Sequence, residues 1–382
     1  MAIDRVKAYK ISLPFSGAFS HSRSTKTSAD NIVVEVIAEN GKITGYGEGA
    51  PRPGVTGESQ ESAMDSLGLF IRKGSFPREL NDVSQVWDFV DGLPEGKEHN
   101  SAICALEMAL LDALGKLQGR SVIQYFPQDF FAGRVCYGAM ITLEDKEKIL
   151  NMCNLIKGVG INHIKMKLGK DFQQNKNSLE AIKLVFGEDY VLRIDANNAW
   201  DRDSALKLLP LLKEYNIRFV EQPLAPDEPD ISAFAQLMKD NGVTLVADEL
   251  ACSLSDVETI AEKGIYKMVN VRLSKCGGFR KSLGIIEYLR KNGILFQIGC
   301  HLGESGLLSA GGRALCLLCR DALFYDGCYD SFLLKENITV EHVSFGPGGE
   351  AGPLGGPGLG VEVNRAALTR LSSDAATFKP FA

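Results

Sequence analysis

"INHIKMKLGK", residues 161–170, sets two lysines in what reads as a short buried strand. Lys165 and Lys167 are two residues apart, so a strand points both to one face. Ile164, Met166 and Leu168 then point to the other face and pack. Like charges held together in a partly dry site cost free energy and depress lysine pKa values. The pair therefore asks for a negative partner or a chemical task.

Working outward from this stretch, short β-rich runs recur with helical stretches between them. They are "VCYGAMI" (135–141), "HIKMKLG" (163–169), "VLRIDAN" (191–197), "RFVEQPL" (218–224), "TLVADEL" (244–250), "MVNVRLS" (268–274), "LFQIGCH" (295–301) and "ALFYDGC" (322–328). The helices between them carry end signals. "TLEDKEKILNMCNLIKG" offers a Thr142 cap with Asp145 three residues on, and "SDVETIAEKG" offers a Ser255–Glu258 capping box ending at Gly264. "FRKSLGIIEYLRKNG" stops at Gly293. Eight strands alternating with helices at nearly even spacing predict a parallel (β/α) barrel, with a doubly wound open sheet as the alternative.

The charges favour the barrel. Lys165 and Lys167 lie on the second strand, Asp195 ends the third, Glu221 the fourth, Asp248 the fifth, and Arg272 lies on the sixth. In a barrel such strand ends converge on one mouth, where active sites are built. Three acids on consecutive strands can ligate one ion through oxygen, and an all-oxygen set selects a hard cation, Mg²⁺ above all. No His or Cys shares the cluster, which argues against zinc. Glu249 is read as a hydrogen-bond partner behind the ligands, and Arg193 as an ion-pair partner for Asp195. A substrate anion between the lysines and the metal balances the charge.

Ahead of the barrel, "RVKAYKISLPF" and "NIVVEVIAENGKITGYGEG" read as strands with "ENGK" as a hairpin turn. "SAICALEMALLDALGKLQG" reads as a helix ending at Gly119. "GYGEGA" (45–50) approaches a dinucleotide fingerprint, but Pro51 and Pro53 follow where a helix should continue, so it reads as a tight turn.

Composition narrows the function classes. The 382 residues favour two domains, and 45% hydrophobic with 24% charged residues is ordinary for a globular protein. A net charge of −6 argues against nucleic acid or an anionic membrane surface as the main partner. No run is long and apolar enough to span a bilayer, and "MAIDRVKAYK" has no signal-peptide core. Nine scattered cysteines fit reduced thiols, and the Cys316–Cys319 spacing fits core packing. A cytoplasmic protein is expected.

As a set, "IKMKLG", "DANNAW" (195–200), "VEQPL" (220–224), "ADEL" (247–250), "NVRLSKCGG" (270–278) and "PGLGVEV" (357–363) resemble the enolase superfamily, within it the muconate lactonizing enzyme subgroup. "GYGEGAPRPGVTGES" (45–59) and "LEMALLDALGK" (106–116) extend the resemblance over nearly the whole chain. It implies a modified TIM barrel of (β/α)7β type, residues 126–345, under an α+β capping domain, residues 1–125, completed by a C-terminal segment, residues 346–382. It implies Mg²⁺ on Asp195, Glu221 and Asp248, with a small-molecule substrate carboxylate bound to it. Lys167 is then the acid/base at the carbon α to that carboxylate, and Lys165 lowers its pKa and stabilises the enolate. Loops around residues 16–27 and 52–58 cap the site, placing Arg23 and Thr56 at the substrate with Asn197, His301 and Glu304. A homo-oligomer is expected.

One position departs from the pattern. Many subgroup members carry a second catalytic lysine where this chain has Arg272, and Lys275 has the wrong strand parity to replace it. Arginine is effectively always protonated and is a poor general base. The expectation is one-base chemistry, cycloisomerisation or elimination, with Arg272 as a fixed cation or a fork for a carboxylate. The alternatives are a dipeptide epimerase or N-acylamino acid racemase, with His301 as the second base, and a metal- and ligand-binding descendant without turnover.

Overall fold

The computed structural model describes residues 1–20, 25–225, 228–229 and 231–379. In chain order, β1 (Ile3–Ser20), β2 (Thr25–Ala38) and β3 (Ile43–Gly49) precede α1 (Gln60–Arg72), α2 (Val83–Asp91) and α3 (Asn100–Gln118). Strands and helices then alternate through β4 (Val135–Cys136), β5 (Ala139–Ile141), α4 (Lys146–Gly158), β6 (His163–Lys167) and α5 (Phe172–Phe186). The alternation continues with β7 (Val191–Asp195), α6 (Arg202–Glu214), β8 (Phe219–Glu221), α7 (Ile231–Asp240), β9 (Thr244–Ala247) and α8 (Leu254–Lys263). It ends with β10 (Met268–Arg272), α9 (Phe279–Lys291), β11 (Leu295–Gly299) and α10 (Gly306–Leu317). The tail adds α11 (Asp330–Leu333), β12 (Glu350–Ala351), α12 (Arg365–Leu371) and β13 (Ser372–Phe378).

The first sheet is antiparallel, in the order β13-β1-β2-β3. The hairpin falls at residues 39–42, where Glu39, Asn40 and Gly41 take positive φ. "GYGEG" is a strand, not the tight turn expected. Its glycines alternate along β3 because α3 lies directly on them. A Cβ at Gly45, Gly47 or Gly49 would come within 2.2 Å of the backbone oxygen of Ala109, Ala105 or Ser101.

Strands β5 to β11 form one parallel sheet in sequence order. It closes through residues 323–326. Ile298 donates to the Phe324 carbonyl, Asp326 donates to the Ile298 carbonyl, and on the far side Gly138 donates to the Tyr325 carbonyl. Closure excludes the open sheet. The eighth run makes a single bridge, Ile298 to Tyr325, and not a full strand. The first run splits, because Val135–Cys136 pairs with Glu350–Ala351 and only Ala139–Ile141 joins the barrel.

Parity works as read from the opening stretch. Ile164, Met166 and Leu168 are buried against the helices, while Lys165 and Lys167 line the interior cavity. The barrel's floor is apolar, built from Val246, Met268 and Phe324 with Phe219 packed on them. Two caps differ from expectation. Asp145 caps α4 through Lys148 N, and Ser253, boxed with Asp256, caps α8. Gly119 ends α3 in the left-handed region as expected.

The two parts are joined by buried polar groups. Glu107 of α3 accepts from the backbone of Phe279 and Arg280, the open N-terminus of α9. Glu48 of β3 accepts from Ser305 and Leu308 at the start of α10. Asn100 donates to the carbonyls of Cys252 (2.8 Å) and Lys275 (2.6 Å). Carboxylates at helix N-termini satisfy orphan amides and favour the helix dipole.

Candidate active site

A cavity of about 760 Å³ lies between the barrel mouth and the capping sheet. From the capping part it is lined by Phe15, residues 27–30, 51–55 and 59–61. From the barrel it is lined by Lys165, Lys167, Asp195, Asn197, Glu249, Asn270, Arg272 and His301, among others. Arg52 closes the seam, donating to the carbonyls of Asp30 and Leu302 and to Asn31 Oδ1, each at 2.9 Å.

The two lysines of the opening stretch have different environments. Lys165 Nζ lies 2.8 Å from Glu221, 3.3 Å from Asp195 and 3.9 Å from Asp326. Burial pulls its pKa down, but these three carboxylates outweigh burial and hold it above the ordinary lysine range. The depression expected for both lysines therefore falls on Lys167 alone. Burial lowers its pKa, Asp195 opposes this, and Lys165 and Arg272 add to the lowering. Its Nζ donates to Asn197 Oδ1 at 2.8 Å.

The three acids stand at adjacent strand ends, Asp195 opposite Glu221 across β7 and β8. All three are buried. Glu221 accepts from Asn270 (2.9 Å) and Gln297 (2.8 Å), and is held down to about 2. Burial raises it, and Lys165 and Arg272 more than reverse that. Asp248 accepts from Arg272 and, at 3.0 Å, from Lys275. Arg272 also stands 3.7 Å from Glu221. Three buried carboxylates at adjacent strand ends offer oxygen donors of the kind a hard divalent cation takes. As arranged, Lys165 and Arg272 stand among them. Among the described residues no three His, Cys, Asp or Glu side chains converge as a metal cluster. The donor chemistry fits Mg²⁺, and the guanidinium of Arg272 occupies the approach to Asp248 and Glu221.

The other sequence-predicted residues divide. Asn197 and His301 line the cavity. Asn197 has φ +45° and binds Lys167, with its amide nitrogen 3.4 Å from Glu249. His301 is buried, its Nε2 makes no hydrogen bond, and burial with Arg272 and Arg52 nearby lowers its pKa well below the usual value. Glu249 lines the cavity, with Oε2 unpartnered and burial and Asp195 raising its pKa. Glu304 lies behind His301, accepting from its backbone at 2.6 Å, and burial pushes it up to about 8. Thr56 is buried with its hydroxyl on the Arg52 carbonyl, while its neighbours 53–55 line the cavity. Arg23 lies outside the described residues.

Three residues that hold the site together escaped the sequence reading. Asp326 takes a two-point contact from Arg193, at 2.6 and 3.1 Å, so Arg193 pairs with it and not with Asp195. Gln222, at φ +38°, accepts from the Asp248 backbone at 3.0 Å and positions that acid. Lys275 donates to the Asp248 and Asn270 carbonyls as well as to the Asp248 carboxylate. Strand parity denies it only the place of a second base; its hold on Asp248 comes after the chain turns past β10, where parity carries no information.

Residues 6–126 match the family described as "Mandelate racemase / muconate lactonizing enzyme, N-terminal domain", and residues 151–367 match "Enolase C-terminal domain-like". The N-succinyl-L-Arg/Lys racemase of Bacillus cereus is 27% identical over 320 residues, 81% of this chain and 83% of that one. A crystal structure of the N-succinyl Arg/Lys racemase from that species matches with TM-score 0.85 and 25% identity, covering 99% and 100% of the two chains. An o-succinylbenzoate synthase of Listeria innocua is 29% identical over 342 residues, 86% of this chain and 84% of that one. A dipeptide epimerase from Cytophaga hutchinsonii, crystallised with Mg and D-Ala-L-Val, matches in fold with TM-score 0.83 at 24% identity, covering 99% and 100%.

Proposed function

The chain belongs to the mandelate racemase/muconate lactonizing enzyme family of the enolase superfamily, and we propose that it moves a proton at the carbon α to a substrate carboxylate, with Lys167 as the base. The observation that carries this is the division between the two lysines. Lys165 is locked as an ammonium by Glu221 and Asp195, whereas Lys167 faces the cavity with a lowered pKa and its nitrogen aimed by Asn197. A lysine so tuned can take a proton near neutral pH.

Asp195, Glu221 and Asp248 would hold Mg²⁺, in keeping with the Mg in the crystallised dipeptide epimerase. Held there, the ion would supply positive charge to a substrate carboxylate. Lys165 adds a fixed positive charge beside the developing oxyanion. Arg272 pairs with Asp248 and cannot accept a proton. Proton transfer then belongs to the Lys167 face, which favours cycloisomerisation or one-base elimination.

The names of the relatives support a second reading, epimerisation of a dipeptide or racemisation of an N-acylamino acid. In that reading the unpartnered His301 Nε2 supplies the second base. Separate enantiomers of N-succinyl amino acids and of dipeptides, incubated with enzyme and Mg²⁺ in D₂O, separate the two by NMR. The one-face reading expects deuterium at the α-carbon with retained configuration, or loss of a leaving group. Interconversion of enantiomers with deuterium entering both would transfer the assignment to the second reading.

A further inference from the structure

Two cations touch Asp248, and they are held differently. Lys275 has three ammonium donors, and all three are used, on the Asp248 carbonyl (2.7 Å), the Asp248 carboxylate (3.0 Å) and the Asn270 carbonyl (2.6 Å). Its side chain is fully buried. Arg272 has five donors, yet among the described residues its fork meets only Asp248 and, loosely, Glu221. Its Nε is buried without a hydrogen-bond partner, and 12% of its side chain is exposed to the cavity it lines. Lys275 is thus anchored, whereas Arg272 has a cavity to move into and little but carboxylate to hold it.

We propose that Arg272 is a tethered competitor for the divalent cation. Where it stands, its guanidinium neutralises Asp248 and Glu221. A metal ion reaches those carboxylates only as the guanidinium leaves them for the cavity, where it can fork onto an anionic substrate. The cation thus sets a weak metal affinity in the resting protein and ties metal retention to the presence of a carboxylate. This rests on the assignment of Asp195, Glu221 and Asp248 as metal ligands.

The test is Mn²⁺ binding, followed by electron paramagnetic resonance on wild-type protein and on Arg272→Gln, with the fold of each monitored by circular dichroism. Glutamine keeps a polar group on Asp248 without the charge, and the variant should bind Mn²⁺ about tenfold more tightly or better. Arg272→Lys, which keeps the charge and protects the fold, should stay within about threefold of wild type. Adding guanidinium ion to Arg272→Gln should loosen Mn²⁺, whereas tetramethylammonium at equal ionic strength should not. Equal or weaker binding by Arg272→Gln overturns the proposal, as does Arg272→Lys binding as tightly as the glutamine variant. Asp248→Asn separates the two assignments. If it leaves Mn²⁺ binding unchanged in wild type and in Arg272→Gln, the metal site itself is misassigned and the proposal falls with it.

Discussion

Lys167 and Lys165 are the same residue type on the same strand face, and their neighbours give them different work. Lys165 touches three carboxylates, and Lys167 donates to the Asn197 side-chain amide. Lys167→Ala should therefore lower α-proton exchange into D₂O by about 10²–10⁴-fold while leaving the fold intact. Exchange that survives in Lys167→Ala, measured by NMR on the same substrate, would reassign the base. The paired lysines and the three strand-end acids were legible because strand parity is a strict geometric rule. The partner of Arg193 was not legible. Asp326 ends an apolar run just as Asp195 and Asp248 do, and that common pattern was the available signal. Its run makes only one bridge, so it stood out less. The hold of Lys275 on Asp248 was not legible, because a turn separates it from the strand and parity lapses there.

At the scale of elements, Glu107 is one of four buried polar residues on α3, with Asn100, Ser101 and Asp112. Both its oxygens accept amides from the first turn of α9, and burial pushes its pKa from the usual 4.5 up to about 8, against the pull of those amides and of Arg280 and Lys281. Between those values the folded state holds a proton that the unfolded state has released. Stability from this group is then greatest below about pH 4.5 and declines as pH rises to about 8. Glutamine does not titrate. The Tm of wild type relative to Glu107→Gln should fall from pH 5 to pH 8.5, and a difference that stays flat or rises would show the carboxyl ionised throughout. Glu107→Ala, which abandons the amides, should cost about 1–3 kcal/mol by urea unfolding. The barrel elements were legible from their period. The β3 glycines were not, because a strand that must lie flush under a helix and a turn both select glycine. Only the depth of α3, buried from Asn100 to Gly115, tells them apart.

Across the whole molecule, capping sheet and barrel share their polar interior. Glu48, Glu107 and Asn100 are each buried and each bonded to the other part. Separation would strand helix N-termini and buried carboxylates without partners, a cost of about 1–3 kcal/mol per group. Calorimetry should therefore find one unfolding transition, with calorimetric and van't Hoff enthalpies nearly equal. Two resolved transitions would mean that these ties are too weak to couple the parts. The pairing of β13 with β1 bears on how the chain is made. Val6 lies opposite Phe378, so during synthesis β1 waits for a neighbour that leaves the ribosome only after the barrel sequence between them. Until then β1 has one open edge, and an open edge invites pairing with other chains. The nascent chain thus carries this open edge of β1 through the whole synthesis of the barrel.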